Sequence, residues 1–173
     1  MYGSGVMLEP FLFRVLLGEV AKRSFAKGVG KDWQWRMSLS RAKRRSRRFA
    51  RFFSNDRYAT VACGAAIEER LGRFARVSLS VDENHRNGLG SVMGGVPFTM
   101  GDFAFAVAAN VGKPPTVSTN CSIDFLGTAK PDRLIAECCV EKDGRSLCFA
   151  RVEVKGSLGN PVARMNVTGF RKS

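Results

Sequence analysis

The sequence predicts an α+β fold in which one antiparallel sheet curls around a single long helix. Two observations carry this. The first is the stretch 92–110, whose one ionisable group is Asp102 and whose apolar residues are spread around the whole helical wheel, as in a buried helix. The second is a series of alternating runs separated by turn signals, two before that stretch and four after it. Such a series describes an antiparallel sheet with one face in water. A sheet with one apolar face must bury it, and this helix is the only large partner the chain offers.

Composition bounds the rest. A chain of 173 residues, 45% hydrophobic, is long enough for one domain with a real core and an extension. The net charge of +13 is uneven: residues 1–51 hold 13 Lys/Arg and 3 Asp/Glu, a net of +10, which leaves +3 for the remainder. Residues 1–51 therefore read as a basic N-terminal extension that need not be ordered, and 52–173 as the domain. Within the extension, the apolar run 11–17 is interrupted by Arg14, too poor for a secretory signal and too short for a membrane span. The run 41–51 suits a nucleic-acid or anionic-membrane patch. It equally suits a solvated arm, or residues upstream of a start at Met37, and this blander reading is preferred. Five cysteines without a CxxC pair and one histidine make a zinc site unconvincing. They point instead to a reducing compartment, with a cytoplasmic location expected.

The elements follow in order. Ser54, Asn55 and Asp56 are cap candidates for a first helix running to Cys63, with Gly64 at its end. Residues 65–71 form a short strand, Gly72 a turn, and 73–81 a strand with Ala75, Val77, Leu79 and Val81 on one face. Residues 82–91 are a polar, glycine-rich loop. The long helix comes next, with Pro97 in its first turn and an expected length of about 28 Å. After the breaker 112–115, the run 116–126 places Val117, Thr119, Cys121, Ile123 and Phe125 on one face, and strands are expected at 133–140, 147–155 and 161–170.

Two features carry chemistry. Gly94 and Gly95 present unshielded N–H groups with the positive end of the helix dipole behind them, a site for an anion or a carbonyl oxygen. Asp102 is a lone carboxylate in an apolar helix, where burial without partners is costly. His85 lies in the polar loop and is expected at the surface, since no Ser or Cys pattern suggests a triad. The cysteines read as core or strand residues. Arg145 and Lys155 are basic groups at strand ends, too common a feature to assign to phosphate binding.

This order of elements, with these residues, resembles the hotdog fold and, within it, the PaaI-like acyl-CoA thioesterases, over about residues 53–171. The resemblance rests on Asn55-Asp56, Asn87-Gly88, Gly94-Gly95 seven residues before Asp102, Asn110, the run 121–126 and the run 134–136. It implies a coenzyme A thioester as substrate, no metal, no cofactor, and a homodimer or homotetramer. It also implies Asp102 as general base or nucleophile, the Gly94 N–H as carbonyl donor, Asn55 as a group ordering water or carbonyl, and Asn87, Met93 and Gly95 as substrate contacts. Where the family has His-Gly-Gly, this chain has Met93. Two non-catalytic readings stand beside the enzyme: an acyl-CoA sensor whose basic arm meets DNA, and a degenerate subunit. Residues 1–51 carry no helix-turn-helix pattern, so nucleic acid is not expected. Gly95 and Asp102 are seven residues apart, hence on nearly one helix face but about 10 Å apart along the axis. A working site is therefore expected to combine Gly94 of one chain with Asp102 of its partner.

Overall fold

A computed structural model describes residues 52–110, 114–128 and 132–172. The basic run and Met37 lie outside the described residues. The chain divides into two units at Asn55/Asp56. Of the first, the described part is a helical turn at 52–54, where the Phe52 and Phe53 rings meet edge to face at 5.0 Å, followed by Asn55.

The second unit begins with a π-helical turn, Tyr58–Ala62, where the sequence predicts a first helix running to Cys63. Asp56, one of the three expected caps, starts it: its carboxylate accepts the Ala59 N–H at 3.3 Å and its carbonyl accepts the Thr60 hydroxyl at 2.8 Å. A side-chain oxygen that takes up a free N–H of the first turn is how such a cap acts. Gly64, at φ 66, ends the turn. Six strands follow, β1 (Ala66–Leu71), β2 (Phe74–Ser80), β3 (Thr116–Phe125), β4 (Arg133–Asp143), β5 (Leu147–Gly156) and β6 (Pro161–Arg171), with helix α1 (Gly95–Ala109) between β2 and β3. They form one antiparallel sheet in the order β1-β2-β4-β5-β6-β3. This is the hotdog fold.

Alternation decides which side chains reach the helix. Ala75, Val77 and Leu79 of β2, Leu134, Ala136, Cys138 and Val140 of β4, and Cys148, Ala150, Val152 and Val154 of β5 are all buried. On the outer face charges pair within and across strands. Across strands, Arg76 reaches Glu69 and Glu137 at 2.7 Å and Lys155 reaches Glu137 at 3.5 Å; within β5, Lys155 reaches Glu153 at 2.9 Å. Two glycines let helix and sheet approach. A Cβ on Gly101 would stand 2.6 Å from Met165 Sδ, and one on Gly169 would stand 2.5 Å from Phe105 Cζ.

Three expectations are corrected here. The helix has fifteen residues, or about 22 Å, because residues 92–94 belong to its approach. It is not covered all round: ten residues are buried, whereas Gly95, Phe98, Thr99, Asp102 and Ala106 form a stripe that reaches the surface. The single face expected for β3 is split by a bulge. Ser118 pairs with Gly169 and Asn120 with Thr168, so Thr119 is the extra residue and the alternation inverts around it. Val117, opposite Phe170, then lies on the outer face. Ser118, Cys121, Ile123 and Phe125 share the helix side with their partners Gly169, Val167, Met165 and Ala163. β3 is also an edge strand, paired only with β6 and exposed over most of its length. Among the described residues no helix is long and apolar enough to cross a membrane.

Candidate active site

The loop after β2 delivers the chain to the helix. Asp82 caps a single 3-10 turn, Glu83–His85, by accepting the Asn84 N–H at 2.8 Å. His85 is buried, not on the surface as expected: its Nδ1 accepts the Asp82 N–H at 3.0 Å and its Nε2 donates to the Cys63 carbonyl at 3.1 Å. A ring with both nitrogens engaged can be buried at little cost. Asn87 holds the next turn. Its Oδ1 accepts the N–H groups of Leu89 and Ser91 at 3.0 and 3.1 Å, and its backbone N–H donates to Ser91 at 2.8 Å. Only its Nδ2 group is left without a partner among the described residues.

The helix start is then set by the backbone. The Met93 N–H donates to the His85 carbonyl and the Met93 carbonyl accepts the Val96 N–H, both at 2.9 Å. Gly94 follows with helical φ −58 and ψ −25. Among the described residues, the Gly94 and Gly95 N–H groups meet no acceptor. Two apolar side chains flank them. The Phe125 ring comes within 3.0 Å of where a Gly94 Cβ would stand, and the Met93 thioether within 3.6 Å of a Gly95 Cβ. Phe125 and Met93 are 58% and 57% exposed, so the donors open to the surface between them.

Asp102 lies on the open stripe of α1, in line with Gly95 and Phe98. It is half-buried rather than buried, and it is partnered: the Ser118 hydroxyl donates to Oδ1 at 2.9 Å. Ser118 is missing from the sequence reading because strict alternation, with Cys121 inward, sends it outward; only the bulge turns it to the helix. Cys121 is close by. Burial pushes its thiol pKa up, and the Asp102 charge adds to this, while a hydrogen bond with Ser118 works the other way.

Asn55 lies in the first unit, exposed, and Asp56 rather than Asn55 caps the turn that follows. Asn110 is structural: its side chain accepts the Thr116 N–H at 2.6 Å and donates to the carbonyls of Ala106 and Thr116, tying the end of α1 to β3. Lys155 is engaged in the outer-face ion pairs, and Arg145 is exposed in the β4–β5 turn. Among the described residues no three His, Cys, Asp or Glu gather as metal ligands.

The family model described as Thioesterase superfamily matches residues 89–160, the span that holds both glycines, Asp102 and Ser118. The PaaI protein of the Escherichia coli phenylacetic acid degradation operon superposes with a TM-score of 0.69 at 26% identity, over 75% of this chain and 95% of that one. Over residues 89–160 the chain is similar to the thioesterase superfamily. A Deinococcus radiodurans protein described as "Putative esterase" is 33% identical over 98 residues. That alignment covers 57% of this chain and 66% of the relative, so the chain spans slightly under two-thirds of it. A Streptococcus pneumoniae hypothetical thioesterase, solved with coenzyme A, shares the fold with a TM-score of 0.65 at 21% identity, over 70% of this chain and 97% of that one.

Proposed function

We propose that the protein is an acyl-CoA thioesterase, hydrolysing an acyl- or aryl-acyl-coenzyme A thioester to the free acid and coenzyme A, without metal or cofactor. The observation that carries this is the pair of N–H groups at Gly94 and Gly95 that meet no acceptor among the described residues, at the start of the open helix stripe that holds the Asp102 carboxylate. Donors at a helix N-terminus stabilise an oxygen that gains negative charge as a carbonyl is attacked. Asp102, steadied by Ser118 at 2.9 Å, takes a proton from water as the water oxygen attacks the thioester carbon; the C–S bond then breaks and that proton passes to the sulfur, so coenzyme A leaves as the thiol. In the alternative the carboxylate attacks that carbon itself: the C–S bond breaks with release of the thiolate, an anhydride forms between the acyl group and Asp102, and water hydrolyses it to the free acid, supplying the proton that the thiolate takes.

Gly95 and Asp102 are still about 10 Å apart along one helix, and a general base must lie within about 3 Å, or one water, of its proton. The working pair therefore comes from two chains. The stripe on α1 and the exposed edge strand β3 are surfaces that a second copy would cover, which supports a symmetric dimer, doubled to a tetramer if the outer sheet face also pairs. Met93, Gly95 and the Asn87 amide are retained as substrate contacts. A second reading, a non-catalytic acyl-CoA-binding subunit, draws on the Met93 thioether beside Gly95, where the family has an imidazole.

Thiol release across short, long and aromatic acyl-coenzyme A esters tests the enzyme reading; binding without release would favour the non-catalytic one. The shared site is tested by mixing Asp102→Ala chains with Gly94→Pro chains, since each heterodimer regains one intact pair. Heterodimers that form and stay inactive would refute the two-chain arrangement.

A further inference from the structure

We infer that His85 is a positioning residue for the carbonyl donors: its buried ring and its main-chain carbonyl together orient the peptide that carries the Gly94 N–H. The inference rests on the donor role proposed above for Gly94.

The loop 82–91 is polar and open to solvent, and His85, at 6% exposure, is its one buried residue. Its ring ties the loop to the rest of the unit. A carbonyl can only accept, so Nε2 carries a proton and donates to Cys63, the residue that closes the π-helical turn before β1. Nδ1 takes the Asp82 N–H at 3.0 Å, and the Asp82 carboxylate lies beside the ring. The tether is held on both sides.

The main chain of the same residue then reaches the site. The His85 carbonyl accepts the Met93 N–H at 2.9 Å, and the Met93 carbonyl accepts the Val96 N–H at 2.9 Å. That carbonyl belongs to the same peptide unit as the Gly94 N–H. A peptide is planar and trans, so its C=O and N–H point in opposite directions. Once His85 and Val96 hold Met93, the direction of the Gly94 N–H is set. A donor aimed beforehand costs no reorganisation when the oxyanion forms, which is where such a group acts. Losing the tether should therefore lower kcat and leave KM nearly unchanged, because the aim matters in the transition state more than in substrate binding.

The test uses the full chain and two variants. His85→Phe fills the ring's space without hydrogen bonds, and His85→Gln keeps an amide donor able to reach Cys63. The readouts are kcat and KM for thioester hydrolysis, the folded fraction, and the backbone amide resonances of Gly94 and Gly95. The expected result is a folded His85→Phe protein with kcat down about tenfold or more, KM within about twofold, the Gly94 amide resonance displaced, and His85→Gln closer to wild type in both. A folded His85→Phe protein with unchanged kcat and unmoved glycine resonances overturns the inference. So does a loss of kcat that only follows the loss of folded protein. If the wild type hydrolyses no thioester, the functional proposal fails by itself, and the glycine resonances still show whether His85 orients that peptide.

Discussion

Gly94→Pro separates the donor from the space around it. Proline requires φ near −65° and has no N–H; Gly94 sits at φ −58, and its N–H meets no acceptor among the described residues. The ring thus fits the backbone without breaking a hydrogen bond. A new Cβ would lie 3.0 and 3.2 Å from two Phe125 ring atoms, but Phe125 is 58% exposed and can swing away. A proline at a compatible site stabilises by roughly 0.4–1 kcal/mol through the unfolded chain, so melting should change little. Turnover should fall by about 10²–10³, roughly 3–4 kcal/mol, the loss expected for one oxyanion donor. Gly94→Ala is the control, since it makes the same contact with Phe125 and keeps the N–H. Its loss should stay under about tenfold, well short of a missing donor. The assay is steady-state thiol release, with thermal melting of each variant. Equal losses in the two variants would refute the reasoning, because they would trace the effect to displaced Phe125 rather than to the donor.

Further outcomes follow from the same geometry. Asp102→Asn should lower turnover by orders of magnitude with the fold intact by circular dichroism; Ser118→Ala should cost about tenfold, the scale of one neutral hydrogen bond to a carboxylate. Gly169→Ala should destabilise by about 1–3 kcal/mol in chemical unfolding, because the new Cβ meets the fully buried Phe105 ring at 2.5 Å and Cys148 Sγ at 2.8 Å. Burial pushes the Cys138 thiol pKa up to about 12, so from about pH 9 to 12 the folded state holds a proton that the unfolded state has released. Stability must then fall as pH rises through that window, and the slope should be shallower in Cys138→Ala when unfolding is followed against pH.

What the sequence determines by itself is what short-range periodicity encodes. Alternation in β2, β4 and β5 names the inward residues because their register is regular where they face α1. The apolar wheel around α1 marks the core helix, and the seven-residue spacing places Gly95 and Asp102 on one stripe. Charge marks off the N-terminal segment. Tertiary structure decides the rest. One extra residue, Thr119, inverts the face of β3 and brings Ser118 to Asp102; a bulge is chosen by pairing with β6, and no local pattern announces it. His85 looks like a surface residue in a polar loop until Cys63, distant in sequence, supplies the carbonyl that lets it be buried. Gly101 and Gly169 look like ordinary glycines until Met165, Phe105 and Cys148 occupy the space their side chains would need. Each of these depends on a partner far along the chain, and periodicity carries no record of which distant residue will come to lie opposite.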